Sequence, residues 1–423
     1  MAGADPVELT IESLGAAGDG VASHGGARVF VPYTVPGDRV RVVLGPGRAG
    51  DRQARVVARL ADGPDRAVPP CPHFGDCGGC ALQHLALEAY RTWKQGVVVE
   101  ALARRGLADV PVAPLVDAAL PRRRASFALA RAPHRGIAGF HRRYASKVVD
   151  VVSCVIVEPA LRDLLPRLRE LVAALPSWRG PGQAVVTRTD TGIDLVLAAD
   201  LRLDATERER LTRFAAAVDL ARLSHQRGAD VAAEPVIERR APTLDIDGVK
   251  VVLPPGGFLQ PTAAGEAAIG ARIVAALGDA SRVADLYAGL GTWTFRLVAR
   301  ARVHAVEGDG ALVAALKTAA TRAGLMGRVE AEARDLARRP LMAEELRRFD
   351  AVVFDPPRAG AAETAAELAR SRVPVVVAVS CNPATFARDA RTLVDGGYRL
   401  VEVTPIDQFR YAAHVELVGV FHR

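Results

Sequence analysis

The feature that most limits what this 423-residue chain can fold into is an alternation that begins at Pro242. Short apolar runs at Arg282 to Tyr287, Val303 to Glu307, Asp350 to Asp355 and Val373 to Ser380 are interleaved with Ala-rich runs of helical period, such as Gly310 to Ala323 and Pro383 to Val394. Bounded runs without strict alternation are what strands buried on both faces require, and the helices supply the crossovers between them. A doubly wound, Rossmann-like α/β unit is expected, with ligands at the carboxyl ends of its strands. A chain of this length exceeds one ordinary core, so a multidomain α/β protein is expected.

The first 60 residues follow different rules. Strand-like segments such as Ala27 to Val31 and Arg39 to Val43 are punctuated at Gly18-Asp19-Gly20, Gly25-Gly26 and Pro36-Gly37-Asp38. A small antiparallel barrel would hide the edges of such short strands. These turns, together with Val29-Phe30-Val31-Pro32, resemble the TRAM domain, an OB-like RNA-binding β-barrel, although barrels of other function share the plan. Asp62 to Pro70 reads as a linker. Leu85 to Arg105 reads as a helix, with apolar residues returning at Leu85, Ala89, Trp93, Val97 and Ala101. The expected division is a barrel over 1–65, a central α+β domain over 66–245 and the Rossmann-like domain over 246–423.

The formal charge of +7 and pI near 9.4 come mainly from arginine, a bias that a GC-rich genome also produces. Clustering is more informative. Between Pro121 and Lys147 stand Arg122, Arg123, Arg124, Arg131, Arg135, Arg142, Arg143 and Lys147, without a carboxylate and with Phe127, Phe140 and Tyr144 interleaved. Guanidinium groups bind phosphates and aromatic faces stack unpaired bases, so the mixture suits folded or single-stranded RNA; a solvated strand face is the plainer reading. No run of about 18 apolar residues occurs, and the amino terminus lacks a basic region followed by an apolar one. A cytoplasmic protein with no membrane partner and no obligate protein partner is expected.

Asp285-Leu286-Tyr287-Ala288-Gly289-Leu290-Gly291-Thr292 follows one of the predicted strands, and the next strand ends in Glu307, a carboxylate suited to ribose hydroxyls. The Gly-x-Gly spacing lacks the third glycine of the dinucleotide fingerprint, which weighs against a nicotinamide or flavin oxidoreductase. Asp355-Pro356-Pro357-Arg358 forms a rigid strand end. Amino-group methyltransferases place an aromatic where Arg358 stands, so methylation of an exocyclic nitrogen is disfavoured. Cys381, before the helical run at Pro383, is placed for activation by a helix N-terminus and nearby cations, against the ordinary reading of a buried inert cysteine. Glu416 supplies a second carboxylate. A thiol, a base and a methyl donor are what methylation of uracil carbon 5 needs: the thiolate adds to carbon 6, carbon 5 takes the methyl group, and a base removes the carbon 5 proton.

In combination, Phe258-Leu259-Gln260-Pro261, Asp285 to Gly289, Asp355 to Gly360, Ser380-Cys381-Asn382-Pro383 and His414-Val415-Glu416 resemble the RNA 5-methyluridine methyltransferases, in particular the iron-sulfur, TRAM-bearing branch that modifies 23S ribosomal RNA. The resemblance implies Cys381 as nucleophile and Glu416 as base. It implies Gln260, Tyr287, Gly289, Thr292, Glu307, Asp335 and Asp355 around S-adenosylmethionine. It also implies Cys71, Cys77, Cys80 and Cys154 as ligands of an iron-sulfur cluster of the [4Fe-4S] type; the residues alone suit zinc equally. Three positions depart from the family pattern: Thr262 and Thr292 replace asparagines, and Arg410 replaces a proline at a place where it could alter which RNA is accepted. A transfer RNA substrate and a non-catalytic RNA-binding relative are the alternatives. A radical S-adenosylmethionine enzyme needs a Cys-x-x-x-Cys-x-x-Cys run that is absent here.

Overall fold

The computed structural model describes residues 5–48, 50–133, 135–228 and 231–423. Its catalytic-type core is an eight-stranded sheet in the order Val329–Ala333, Arg302–Glu307, Arg282–Leu286, Ala351–Phe354, Val375–Ser380, Glu416–His422, Arg399–Asp407 and Val116–Asp117. The first five strands are mutually parallel, whereas Glu416–His422 runs antiparallel to both of its neighbours. Strand order reverses between Arg282–Leu286 and Ala351–Phe354, and the crevice outside the carboxyl ends at such a reversal is where α/β sheets bind ligands. The inner strands are buried along their length because helices cover both faces, which accounts for runs such as Ala351-Val352-Val353-Phe354.

Helix Leu87–Ala103 and strand Val116–Asp117 precede the Rossmann-like region in sequence yet join it in space. Val98, Leu102 and Leu107 share a core with Leu393 and Val403, and Val116–Asp117 pairs with Ile406 and Asp407. The expected boundary at 245/246 is therefore crossed by an earlier excursion of the chain. Its signal was weak: the helix forms, but its buried face is Tyr90, Lys94, Val98 and Leu102, one residue on from the expected Ala89, Trp93, Val97 and Ala101, and a two-residue strand has no period.

The amino-terminal unit is β-rich, with six strands around Leu9, Ile11, Val29, Val31, Val40 and Val42. The segment expected as a linker is docked rather than free. Asp38, wholly buried, accepts from Val35 N and Gly63 N at 2.8 Å and pairs with Arg66, so Gly63 to Arg66 is tied to the Pro36-Gly37-Asp38 turn. The central region is a seven-stranded sheet, from Val148–Asp150 to Glu234–Glu238, packed on helix Leu164–Ala174.

Candidate active site

A cavity of about 1110 Å³ runs from the four cysteines Cys71, Cys77, Cys80 and Cys154, past Cys381 and Glu416, to Gly289, Glu307 and Asp335. Every residue singled out from the sequence as nucleophile, base, cofactor contact or cluster ligand lines it.

At one end the glycine loop shapes a nucleotide-sized recess. Tyr287 adopts φ 61°, costly for a residue with a side chain, and Gly289 and Gly291 follow at 57° and 88°. At Gly291 a Cβ would stand 2.8 Å from Phe295, so only glycine lets the helix Thr292–Leu297 begin there. Gly289 N donates to Glu307 Oε2 at 3.0 Å and Asp309 N to Oε1 at 2.8 Å, which fixes this carboxylate at the strand end. Asp335 accepts from Ala337 N at 3.0 Å. The Tyr287 hydroxyl lies 3.2 Å from Thr364 Oγ1.

In the middle, strand register brings the chemistry together. Ser380 pairs with Leu417 in adjacent antiparallel strands, so the next pair outward is Cys381 and Glu416. Asp355, at the end of the neighbouring strand, accepts from Gln260 Nε2 and Trp293 Nε1, each at 3.1 Å. Gln408 Nε2 donates to Glu416 Oε2 at 2.7 Å and to Gln260 Oε1 at 2.8 Å.

Burial dominates the electrostatics. It pushes Glu416 well above the ordinary carboxylate range, reinforced by the charge of Asp355 and opposed by the Gln408 hydrogen bond. Asp355 is also pushed up by burial, against the bonds from Trp293 and Gln260. The Cys381 thiol rises to about 11, through burial first and then the charges of Glu416 and Asp355; Arg358 opposes them. The expectation that a helix N-terminus and cations activate this thiol is thus corrected for the free protein: the helix Pro383–Asp395 does start beside it, but desolvation and two carboxylates outweigh it.

At the far end, Gly79 N donates to Cys77 Sγ at 3.5 Å, and burial pushes the Cys80 thiol up to about 12. The four sulfurs lie close enough that the charge of each of Cys71 and Cys154 bears on Cys77. Among the described residues no group of three or more His, Cys, Asp or Glu is arranged to hold a single metal ion.

Two departures acquire structural roles. Thr262 caps helix Ala263–Leu277, accepting from Gly265 N at 2.9 Å and donating to Ala118 O at 2.6 Å. Arg410 does not line the cavity; it pairs with Asp117 and approaches Asp407 at 3.5 Å, contacts that fasten its turn. The basic segment is also largely satisfied from within: Arg123 pairs with Glu266, Arg135 with Asp150, Arg142 with Asp76 and Arg143 with Asp19. Phe127 is core, not a stacking platform. Arg122 and Arg124 do line the cavity, set over Phe409 and Phe258 at 5.5 Å, and each has an unpartnered Nε. Sequence reasoning missed Gln408 and Trp293 as parts of the site, since a neutral amide and an indole leave no charge or spacing signal.

A doubly wound sheet with a thiol, a buried carboxylate and a half-buried one at its carboxyl edge, opening on arginines without a carboxylate partner among the described residues, fits a nucleic-acid-modifying group transferase. Residues 253–423 match the family described as tRNA (Uracil-5-)-methyltransferase. An RNA methyltransferase of Brucella suis, named as uncharacterized, is 46% identical over 98% of this chain and 97% of its own. The 23S rRNA (uracil(1939)-C(5))-methyltransferase RlmD of Chromohalobacter salexigens is 37% identical over 96% of this chain and 87% of its own. The crystal structure of Pyrococcus abyssi tRNA (uracil-54, C5)-methyltransferase with S-adenosyl-L-homocysteine shares the fold, with a TM-score of 0.74 at 21% identity over 98% of this chain and 99% of that one. The chain belongs to the RNA uracil-C5 methyltransferase family.

Proposed function

We propose that this enzyme transfers the methyl group of S-adenosylmethionine to carbon 5 of a uridine in 23S ribosomal RNA through a covalent Cys381 adduct, with Glu416 as the base. The register that sets Cys381 opposite Glu416 is the observation that carries this reading, because nucleophile and base must reach carbons 6 and 5 of one ring. Gly289, Thr292, Glu307, Asp335, Tyr287, Gln260 and Asp355 line the end of the cavity that suits the methyl donor. The uridine enters from the side of Arg122 and Arg124, flipped out of its stack, since stacking would shield carbon 6 from the thiolate. The 37% identity to a 23S rRNA enzyme favours ribosomal over transfer RNA.

Cys71, Cys77, Cys80 and Cys154 fit an iron-sulfur cluster as a four-thiol donor set at one cavity end, with an amide already directed at Cys77 Sγ. Its chemistry there would be to brace: Ala81 N and Leu82 N, next to Cys80, donate to Tyr411 O at 2.7 and 3.1 Å and so hold the turn between Gln408 and Glu416. The amino-terminal unit fits a TRAM-like RNA-binding barrel, within a division at about 65 and 245.

Purified enzyme, labelled methyl donor and total RNA from a strain lacking the gene provide the test. Label in 5-methyluridine of 23S RNA supports the proposal, label in transfer RNA alone favours the second substrate, and label on nitrogen rejects the chemistry. Iron, sulfide and zinc analysis of anaerobically purified protein decides the cluster, since zinc without iron contradicts it.

A further inference from the structure

We infer that Gln408 is the positioning residue of the base: its amide, held between Gln260 and Glu416, presents one oxygen of Glu416 to the substrate and ties the base to Asp355. The inference rests on Glu416 being the base.

Gln408 is wholly buried, and its Nε2 spends both hydrogens, one on Glu416 Oε2 at 2.7 Å and one on Gln260 Oε1 at 2.8 Å. With Glu416 ionised, flipping the amide would set its oxygen against two acceptors, so the ionised base fixes the orientation, in which Gln408 Oε1 is buried without a partner among the described residues. Gln260 in turn donates to Asp355 Oδ2, which completes an unbroken chain from the methyl-donor side of the cavity to the base. The seat is built for this side chain, because a Cβ on Gly265 would lie 2.5 Å from Gln408 Oε1. With Oε2 bound, Glu416 Oε1 has no protein hydrogen bond among the described residues and is the oxygen available to carbon 5.

The step served is proton removal after methyl transfer. Oε1 takes the carbon 5 proton, the C–H electron pair forms the C5–C6 double bond, the C6–S bond breaks, and Cys381 departs as thiolate. The charged groups around Glu416 are Asp355 and Cys381 from the adjoining strand ends, with Arg358 and His414 beyond them. None is a hydrogen-bond donor to Glu416, so among the described residues Gln408 alone favours its ionised form through a hydrogen bond.

The test uses full-length enzyme and total RNA carrying [5-³H]uridine from a strain lacking the gene. Two rates are followed: formation of the RNA–protein adduct on denaturing gels, and tritium release from carbon 5. For Gln408→Leu we expect adduct formation close to wild type, tritium release slower by roughly ten- to hundred-fold, adduct accumulation, and an acidic limb of tritium release displaced to higher pH. If Gln408→Leu lowers the unfolding midpoint, Gln408→Glu preserves shape and places a second carboxyl beside the base, displacing that limb upward as well. Normal tritium release and an unmoved limb in both variants overturn the positioning role, while adduct accumulation in Glu416→Gln leaves the base assignment standing. Full turnover by Glu416→Gln overturns the base assignment and the inference together.

Discussion

Lys94 Nζ lies 2.6 Å from Asp407 Oδ1, and both side chains are almost completely buried. The lysine reaches this position from helix Leu87–Ala103, and it also donates to the carbonyls of Phe409 and His414 at 3.1 and 2.7 Å. Tyr90, four residues earlier on the same helix, donates to Asp407 Oδ2 at 2.8 Å and accepts from Tyr411 N at 3.0 Å. One helix from the first quarter of the chain thus holds both ends of the turn that carries Gln408 and leads to Glu416.

Removing one partner of a buried ion pair leaves the other uncompensated, at a cost of about 3–5 kcal/mol. Lys94→Met should therefore destabilise the protein by that order in urea unfolding and should also slow turnover, with amide exchange raised across residues 409–414. Unchanged exchange in that turn would show that the lysine braces something else.

The Cys381 thiol of the free enzyme should be sluggish at neutral pH. Its pKa is raised to about 11, so alkylation by iodoacetamide should climb with pH through the alkaline range and level off only near that value. The causes are burial and the carboxylates of Glu416 and Asp355, and a sulfonium cation beside them opposes both charges. S-adenosylmethionine should therefore shift the alkylation profile to lower pH, whereas neutral-sulfur S-adenosylhomocysteine should not. Equal profiles with the two ligands would mean that the cofactor does not govern thiolate formation.

Arg124 has no carboxylate partner among the described residues, and burial depresses its pKa. A partly buried cation without a counter-charge is incompletely solvated, a deficit that an RNA phosphate would offset on binding. Arg124→Ala should weaken RNA binding and reduce the salt slope by about 1, while leaving the unfolding midpoint unchanged or higher. A lower midpoint with unaltered RNA affinity would assign the residue to folding. Fluorescence anisotropy across a salt series, together with thermal unfolding, separates these outcomes.

The strands of the Rossmann-like sheet were legible because burial on both faces demands apolar runs, and the expected bounds fall within one or two residues of Arg282–Leu286, Arg302–Glu307, Ala351–Phe354 and Val375–Ser380. Cys381 and Glu416 were legible as residue types with a shared chemistry, but their pairing depends on antiparallel insertion of the last strand, which short-range patterns do not encode. The basic segment was legible only in part, for a related reason. Its local lack of carboxylates hides long-range partners such as Asp19, Asp76 and Glu266, which only the folded chain brings near. Nothing in the local pattern around Lys94 marks it as buried, since its partner is an aspartate 313 residues away.

Attack by Cys381 is tested by mass spectrometry of enzyme reacted with S-adenosylmethionine and RNA containing 5-fluorouridine. Fluorine occupies the place of the proton that Glu416 removes, so the reaction should stop after methyl transfer. A stable adduct should form whose proteolytic fragment carries a methylated fluorouridine on Cys381, with none from Cys381→Ala. An adduct on Cys71, Cys77, Cys80 or Cys154, or full methylation of ordinary RNA by Cys381→Ala, would contradict attack by Cys381.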